Sequence, residues 1–93
     1  MNIPQTILIG GHEYKINKIP NQPHGGSVDT DTQIIEIDPL RPEDFVAESL
    51  LHEIIEAIDV KCNLTVPHVS LTVISEALFA VIRANDLDFR SKE

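Results

Sequence analysis

The segment between Leu50 and Asp59 places one histidine and two glutamates at the spacing of a helical metal site. Glu53 directly follows His52, and Glu56 lies one helical turn after that histidine. Because residues four apart share one side of a helix, His52 and Glu56 can bind the same cation. Glu53 could then take a proton from a water molecule beside the cation, as the general base of a hydrolytic reaction. The second histidine of the HExxH motif is replaced here by Glu56, a harder and less common zinc ligand.

A third ligand must come from another part of the chain, because catalytic zinc commonly uses three protein ligands. His68 follows Pro67 at the start of the next predicted helix. In that first turn the helix dipole disfavours the imidazolium and favours a neutral ring that can bind a metal. Glu76 lies about two turns further along the same helix. The sequence predicts a metal bound by His52, Glu56 and His68, with Glu76 as the alternative third ligand.

The same residues can also be interpreted as a solvated acidic helix face. The chain has fifteen acidic residues and a net charge of −8, so an acidic cluster beside one histidine needs no metal to explain it. On this interpretation the protein is a regulatory domain whose acidic surface binds a basic partner protein. The charge disfavours binding to nucleic acid and to anionic membranes. The sequence does not indicate an oligomeric state.

The elements that must position these residues predict an α+β fold in a single domain over residues 1–93. Residues 1–38 read as two β-hairpins that form a small antiparallel sheet, the first turning at Gly10-Gly11. Helices are predicted over residues 42–62 and 67–85, each opened by a proline. The short connection makes them antiparallel neighbours. Residues 86–93 form a polar tail.

Helical rotation predicts which faces of the two helices are buried. The predicted core stripe of the first helix is Ala47, Leu51, Ile54 and Ile58, and that of the second is Leu71, Ile74, Leu78 and Ile82. His52 and Glu56 then lie off the core face of the first helix. Glu76 lies nearly opposite the stripe of the second helix, whereas His68 lies at its flank. His68 is therefore the better placed third ligand.

The chain is expected in the cytoplasm. Cys62 is the only cysteine, so no intrachain disulfide can form. The first residues lack the basic start and apolar core of a signal peptide. No apolar run approaches the length of a transmembrane helix.

A set of motifs extends along nearly the whole chain. It comprises residues 7–15, 25–29, 32–38 and 50–58, the step Val66-Pro67-His68, residues 76–79, and Asn85-Asp86. In this order the motifs resemble a family of small phage and prophage proteins of the zincin-like, minigluzincin type, whose members carry HExxH or HExxE.

The resemblance implies a minimal metallopeptidase fold in which zinc is the metal, His52 the first ligand and Glu53 the catalytic base. A gluzincin takes its third ligand from a glutamate on the second helix, which here would be Glu76, unless His68 serves because Glu56 has replaced a histidine. The strand leading out of Gly25, Gly26 and Ser27 would be the edge on which an extended peptide substrate pairs. A zincin-like protein that has lost catalysis and serves as an interaction module is the alternative. The resemblance also implies a phage or prophage protein in the cytoplasm of a bacterial host, where the basic partner would be a host protein.

Overall fold

The structure, a computed structural model, describes residues 3–85 and 87. The elements in chain order are β1 (Thr6–Ile9), β2 (His12–Lys18), β3 (Gly26–Asp29), β4 (Ile34–Ile37), α1 (Glu43–Cys62) and α2 (His68–Ala84). A short 3-10 turn, Pro23–Gly25, precedes β3. A four-stranded sheet followed by two helices confirms the predicted α+β class. Of the predicted polar tail, only Leu87 is among the described residues.

The sheet is mixed, so the prediction of a purely antiparallel sheet was wrong. The strand order is β1-β2-β4-β3, and β2 and β4 run parallel while both hairpins are antiparallel. The long segment 19–33 provides the crossover that a parallel pair needs. This order places the most buried strand, Ile34–Ile37, in the interior of the sheet and leaves the polar strand β3 at an edge.

The core lies between one face of the sheet and α1. Its members alternate along the strands and recur by turns along the helix, and they are Ile9, Tyr14, Ile16, Ile35, Ile37, Val46, Leu50 and Ala57. The predicted core stripe of α1 was wrong by a rotation of about 100°. Glu53 and Ser49 lie on the buried face, whereas Ile58 is exposed. His52 and Glu56 are consequently half-buried rather than solvated.

Helix α2 packs chiefly on α1, and its predicted core stripe was largely wrong. Leu71 and Ser75 are its buried residues, whereas Ile74 and Leu78 remain 47% and 41% exposed. The helix is apolar almost all round, so hydrophobicity does not select the face that packs. Neither helix in the described part of the chain is long and apolar enough to cross a membrane.

The connection between the helices is fixed by residues at the end of α1. Asn63 ends the helix in the left-handed conformation (φ 54°), which stops the helix and reverses the chain. The carboxylate of Asp59 accepts a hydrogen bond from the backbone of Val66 at 2.9 Å. Asp59 therefore holds the loop that delivers His68, a structural role that its acidic character alone does not reveal.

Candidate metal centre

A cleft of about 590 Å³ opens between β3, α1 and α2. Its lining combines three histidines with four glutamates, and the residues are His24, Gly26, Ser27, Val28, Phe45, Glu48, Ser49, His52, Glu53, Glu56, His68, Thr72, Ser75 and Glu76. No lysine or arginine is among these lining residues. The cleft therefore presents imidazole and carboxylate groups without a protein cation to balance them, a donor set that suits a metal ion.

Helix α1 supplies three of these groups at close range. One ligand atom each from His52, Glu53 and Glu56 lies within 4.8 Å of the others. The predicted one-turn spacing explains why His52 and Glu56 meet, and the rotation of α1 turns Glu53 inward beside them. The sequence-predicted cluster on α1 is thus brought together on the cleft side of the helix.

Glu53 is an unusual residue because it is a buried carboxyl group with an unsatisfied oxygen. The residue is 4% exposed, and its Oε1 has no hydrogen-bond partner among residues 3–85 and 87. Burial, then a hydrogen bond with Glu56 and the charge of Glu56, raise the pKa of Glu53 from 4.5 to about 8. A cation in the cleft would satisfy the orphan oxygen and offset the repulsion between the two carboxylates. The residues present therefore fit a metal ion.

The two candidate third ligands differ in their position relative to His52. The ring of His68 lies edge-on to the ring of His52, with 5.3 Å between centroids and 65° between planes. Glu76 also lines the cleft, and both His68 and Glu76 are exposed, so exposure does not distinguish them. Neither residue belongs to the group of ligand atoms within 4.8 Å of one another. The contact between the two imidazoles makes His68 the closer match to the predicted third ligand.

The predicted substrate edge consists of Gly25, Gly26 and Ser27, and the structure separates the first of these from the other two. Gly25 is enclosed, whereas Gly26 and Ser27 belong to the edge strand β3. Gly25 is buried, its N–H donates to Gln22 and its carbonyl accepts from Asp38, so it has no backbone group left for a peptide. Its φ of +87° favours glycine, and a Cβ there would lie 2.5 Å from Phe45. Gly25 thus permits the close approach of α1 to the turn before β3.

The free edge of β3 borders the cleft through Gly26, Ser27 and Val28. Since Gly25 pairs by hydrogen bond with Asp38, alternation along the antiparallel ladder directs the backbone groups of Ser27 towards β4. The backbone groups of Gly26 and Val28 then point to the free edge. An extended chain in the cleft would pair with those two residues.

Ser75 is a site residue that the sequence did not predict. It is 1% exposed, and its hydroxyl lies 2.7 Å from the carbonyl of Leu71 and 3.4 Å from Nδ1 of His52. A small polar residue among the apolar positions of α2 was the available signal. The second missed residue, Ser49, lies on the buried face of α1 and lines the same cleft.

No family model matches the chain, and neither the search of curated proteins nor that of solved structures finds a significant match. The geometry of the cleft and the chemistry of its residues are therefore the basis for inferring a function.

Proposed function

We propose that this protein is a zinc-binding, zincin-like metallopeptidase in which His52, Glu56 and His68 hold the metal and Glu53 is the general base. The observation that carries the proposal is the buried carboxyl group of Glu53, whose Oε1 has no hydrogen-bond partner among the described residues. This group lies within 4.8 Å of ligand atoms of His52 and Glu56. Burial of a carboxyl group with an unsatisfied oxygen lowers the stability of the fold. Such a residue is therefore a candidate for a functional role.

Zinc in this site would supply a positive charge that polarises a peptide carbonyl and acidifies a water molecule. The protein's own contribution is to position the ligands on two helices and to hold Glu53 at the floor of the cleft. With its pKa at about 8, Glu53 is mostly protonated at neutral pH in the metal-free protein. A positive charge beside it lowers that pKa, so the ionised carboxylate can accept a proton from water and pass it to the leaving amine.

The peptide substrate would bind as an additional strand on the free edge of β3. The backbone groups of Gly26 and Val28 would pair with it, and the sheet would thereby align a peptide bond along the cleft. Binding through backbone groups predicts a broad tolerance for substrate sequence.

Metal binding by single-site variants tests the ligand set. We expect zinc to raise the melting temperature of the wild type, and His52→Ala, Glu56→Ala and His68→Ala each to lower zinc affinity by about 100-fold or more, since even residues that only support a ligand change affinity by 10–100-fold. His12→Ala is the matched control, because His12 is exposed on β2. A larger loss in Glu76→Ala than in His68→Ala would assign the third ligand to Glu76. No zinc binding by the wild type would refute the proposal.

Peptide hydrolysis tests the catalytic part separately. The zinc-loaded wild type should cleave members of a mixed peptide library, detected by mass spectrometry, and Glu53→Gln should abolish cleavage while zinc still binds. The amide keeps the size of the side chain but cannot act as a base. A wild type that binds zinc and cleaves nothing would instead support the catalytically inactive interaction module.

A further inference from the structure

Ser75 of α2 contacts the ring of His52 at Nδ1. Its hydroxyl oxygen lies 3.4 Å from Nδ1 of His52, across the interface between the two helices. The serine is 1% exposed, so no bulk water competes for its hydroxyl. Ser75 is therefore the protein group within hydrogen-bond distance of Nδ1 in this interface.

The direction of this hydrogen bond follows from the single proton of the serine hydroxyl. That proton has a better acceptor in the carbonyl of Leu71, at 2.7 Å from Oγ, one turn earlier on α2. With its proton donated to Leu71, Oγ has only lone pairs to offer His52. The interaction at Nδ1 is then favourable only if the imidazole carries its proton on Nδ1.

We infer that Ser75 is a positioning residue that fixes His52 as the Nδ1–H tautomer and leaves Nε2 as the unprotonated nitrogen available to a metal. The inference rests on the proposed function for its purpose, since the tautomer matters only if His52 is a ligand. A metal-binding histidine generally has its second ring nitrogen held by a hydrogen bond, and that bond sets both the tautomer and the orientation of the ring.

The arrangement also links the two helices at the metal centre. His68 enters the cleft from the first turn of α2, and Ser75 contacts His52 from two turns further along the same helix. One face of α2 therefore supplies the proposed third ligand and the group that orients the first. Helix α2 must pack correctly on α1 before either contribution is made.

The tautomer can be measured without any metal. Two-bond ¹⁵N–¹H NMR spectra of the metal-free protein at about pH 8.5, where an ordinary imidazole is neutral, distinguish the protonated from the unprotonated ring nitrogen. We expect wild-type His52 to be the Nδ1–H tautomer, and Ser75→Ala to shift it towards Nε2–H. Ser70→Ala, the same change on α2 about 140° away from Ser75, should leave the tautomer unchanged. A wild-type ring protonated on Nε2, or a tautomer unaffected by Ser75→Ala, would overturn the inference.

Zinc affinity, measured by competition with a chelating dye, provides the second readout. We expect Ser75→Ala to weaken zinc binding by about 10–100-fold and Ser75→Thr, which keeps the hydroxyl, to restore most of it. Equal affinities in the wild type and Ser75→Ala would contradict a positioning role. If the wild type shows the Nδ1–H tautomer but binds no zinc, the proposed function fails while the assignment of the hydrogen bond stands, so the two failures can be told apart.

Discussion

Replacement of Glu53 by glutamine should change how the stability of the metal-free protein depends on pH. In the wild type, the pKa of this buried carboxyl is raised from 4.5 to about 8, so the folded state binds a proton more tightly than the unfolded state does. Its contribution to stability is therefore fully present below about pH 4.5, falls as the pH rises, and is lost above about pH 8. Glutamine stays neutral throughout and removes this dependence.

The magnitude follows from the distance between the two pKa values. Each pH unit corresponds to about 1.4 kcal/mol. The contribution of Glu53 to the free energy of unfolding can therefore fall by at most about 5 kcal/mol between pH 4.5 and pH 8. Between pH 6 and pH 9 the fall would be about 3 kcal/mol, because titration ends near pH 8. That is a large part of the stability of a small domain. Glu56→Gln should reduce the fall without abolishing it, since burial is the largest cause of the raised pKa.

Urea unfolding monitored by circular dichroism at pH 6 and pH 9, with a chelator present, measures these free energies. Glu13→Gln is the matched control, because it removes one exposed carboxylate on β2, two strands away from β3. The free energy of unfolding of the control should fall between pH 6 and pH 9 by as much as that of the wild type. For Glu53→Gln the fall should be smaller by about 3 kcal/mol. An equal decrease in the free energy of unfolding of the wild type and of Glu53→Gln would show that this carboxyl group is not held in its neutral form.

Three further predictions concern the frame of the site. Gly25→Ala should lower the free energy of unfolding in urea titrations by about 2–3 kcal/mol, because its Cβ would lie 2.5 Å from Phe45. Gly10→Ala, also at positive φ but with nothing within 4 Å of the added Cβ, should lower it by about 1 kcal/mol. Equal losses in the two variants would contradict the steric explanation. Tyr14→Phe should raise the free energy of unfolding by about 1 kcal/mol, because the buried Tyr14 hydroxyl has no hydrogen-bond partner among the described residues. A lower free energy of unfolding would show that the hydroxyl has a partner. Val28→Pro removes an outward N–H and should raise KM about tenfold for a peptide that the wild type cleaves, with zinc affinity unchanged; an unaltered KM would exclude pairing at that edge.

The local parts of the site could be predicted from the sequence because they depend on helix geometry alone. A spacing of four brings His52 and Glu56 to one side of any helix, and the adjacent Glu53 must lie within reach of them. The helix itself follows from Pro42, the acidic residues of its first turn and a long run of helix-forming residues.

The orientation of α1 could not be predicted in the same way. Hydrophobicity favoured the side of Leu51 and Ile58, but the buried face includes Ser49 and Glu53. Polar residues on the buried face oppose the hydrophobic pattern from which the orientation was predicted. Such local inconsistency is expected at functional sites. The parallel pairing of β2 with β4 was missed for a different reason. It joins strands far apart in sequence, and hairpin turns contain no information about the order of strands in a sheet.

The attachment of α2 through one face has a consequence for the order in which parts of the fold open. Because α2 packs chiefly on α1 and shares little with the sheet, it is the element most readily released by local unfolding. A zinc ion bound by residues of both helices would act as a cross-link that closes this opening. Native-state hydrogen exchange should therefore slow in the amides of α2 when zinc is added, while the exchange of β2 and β4 changes little.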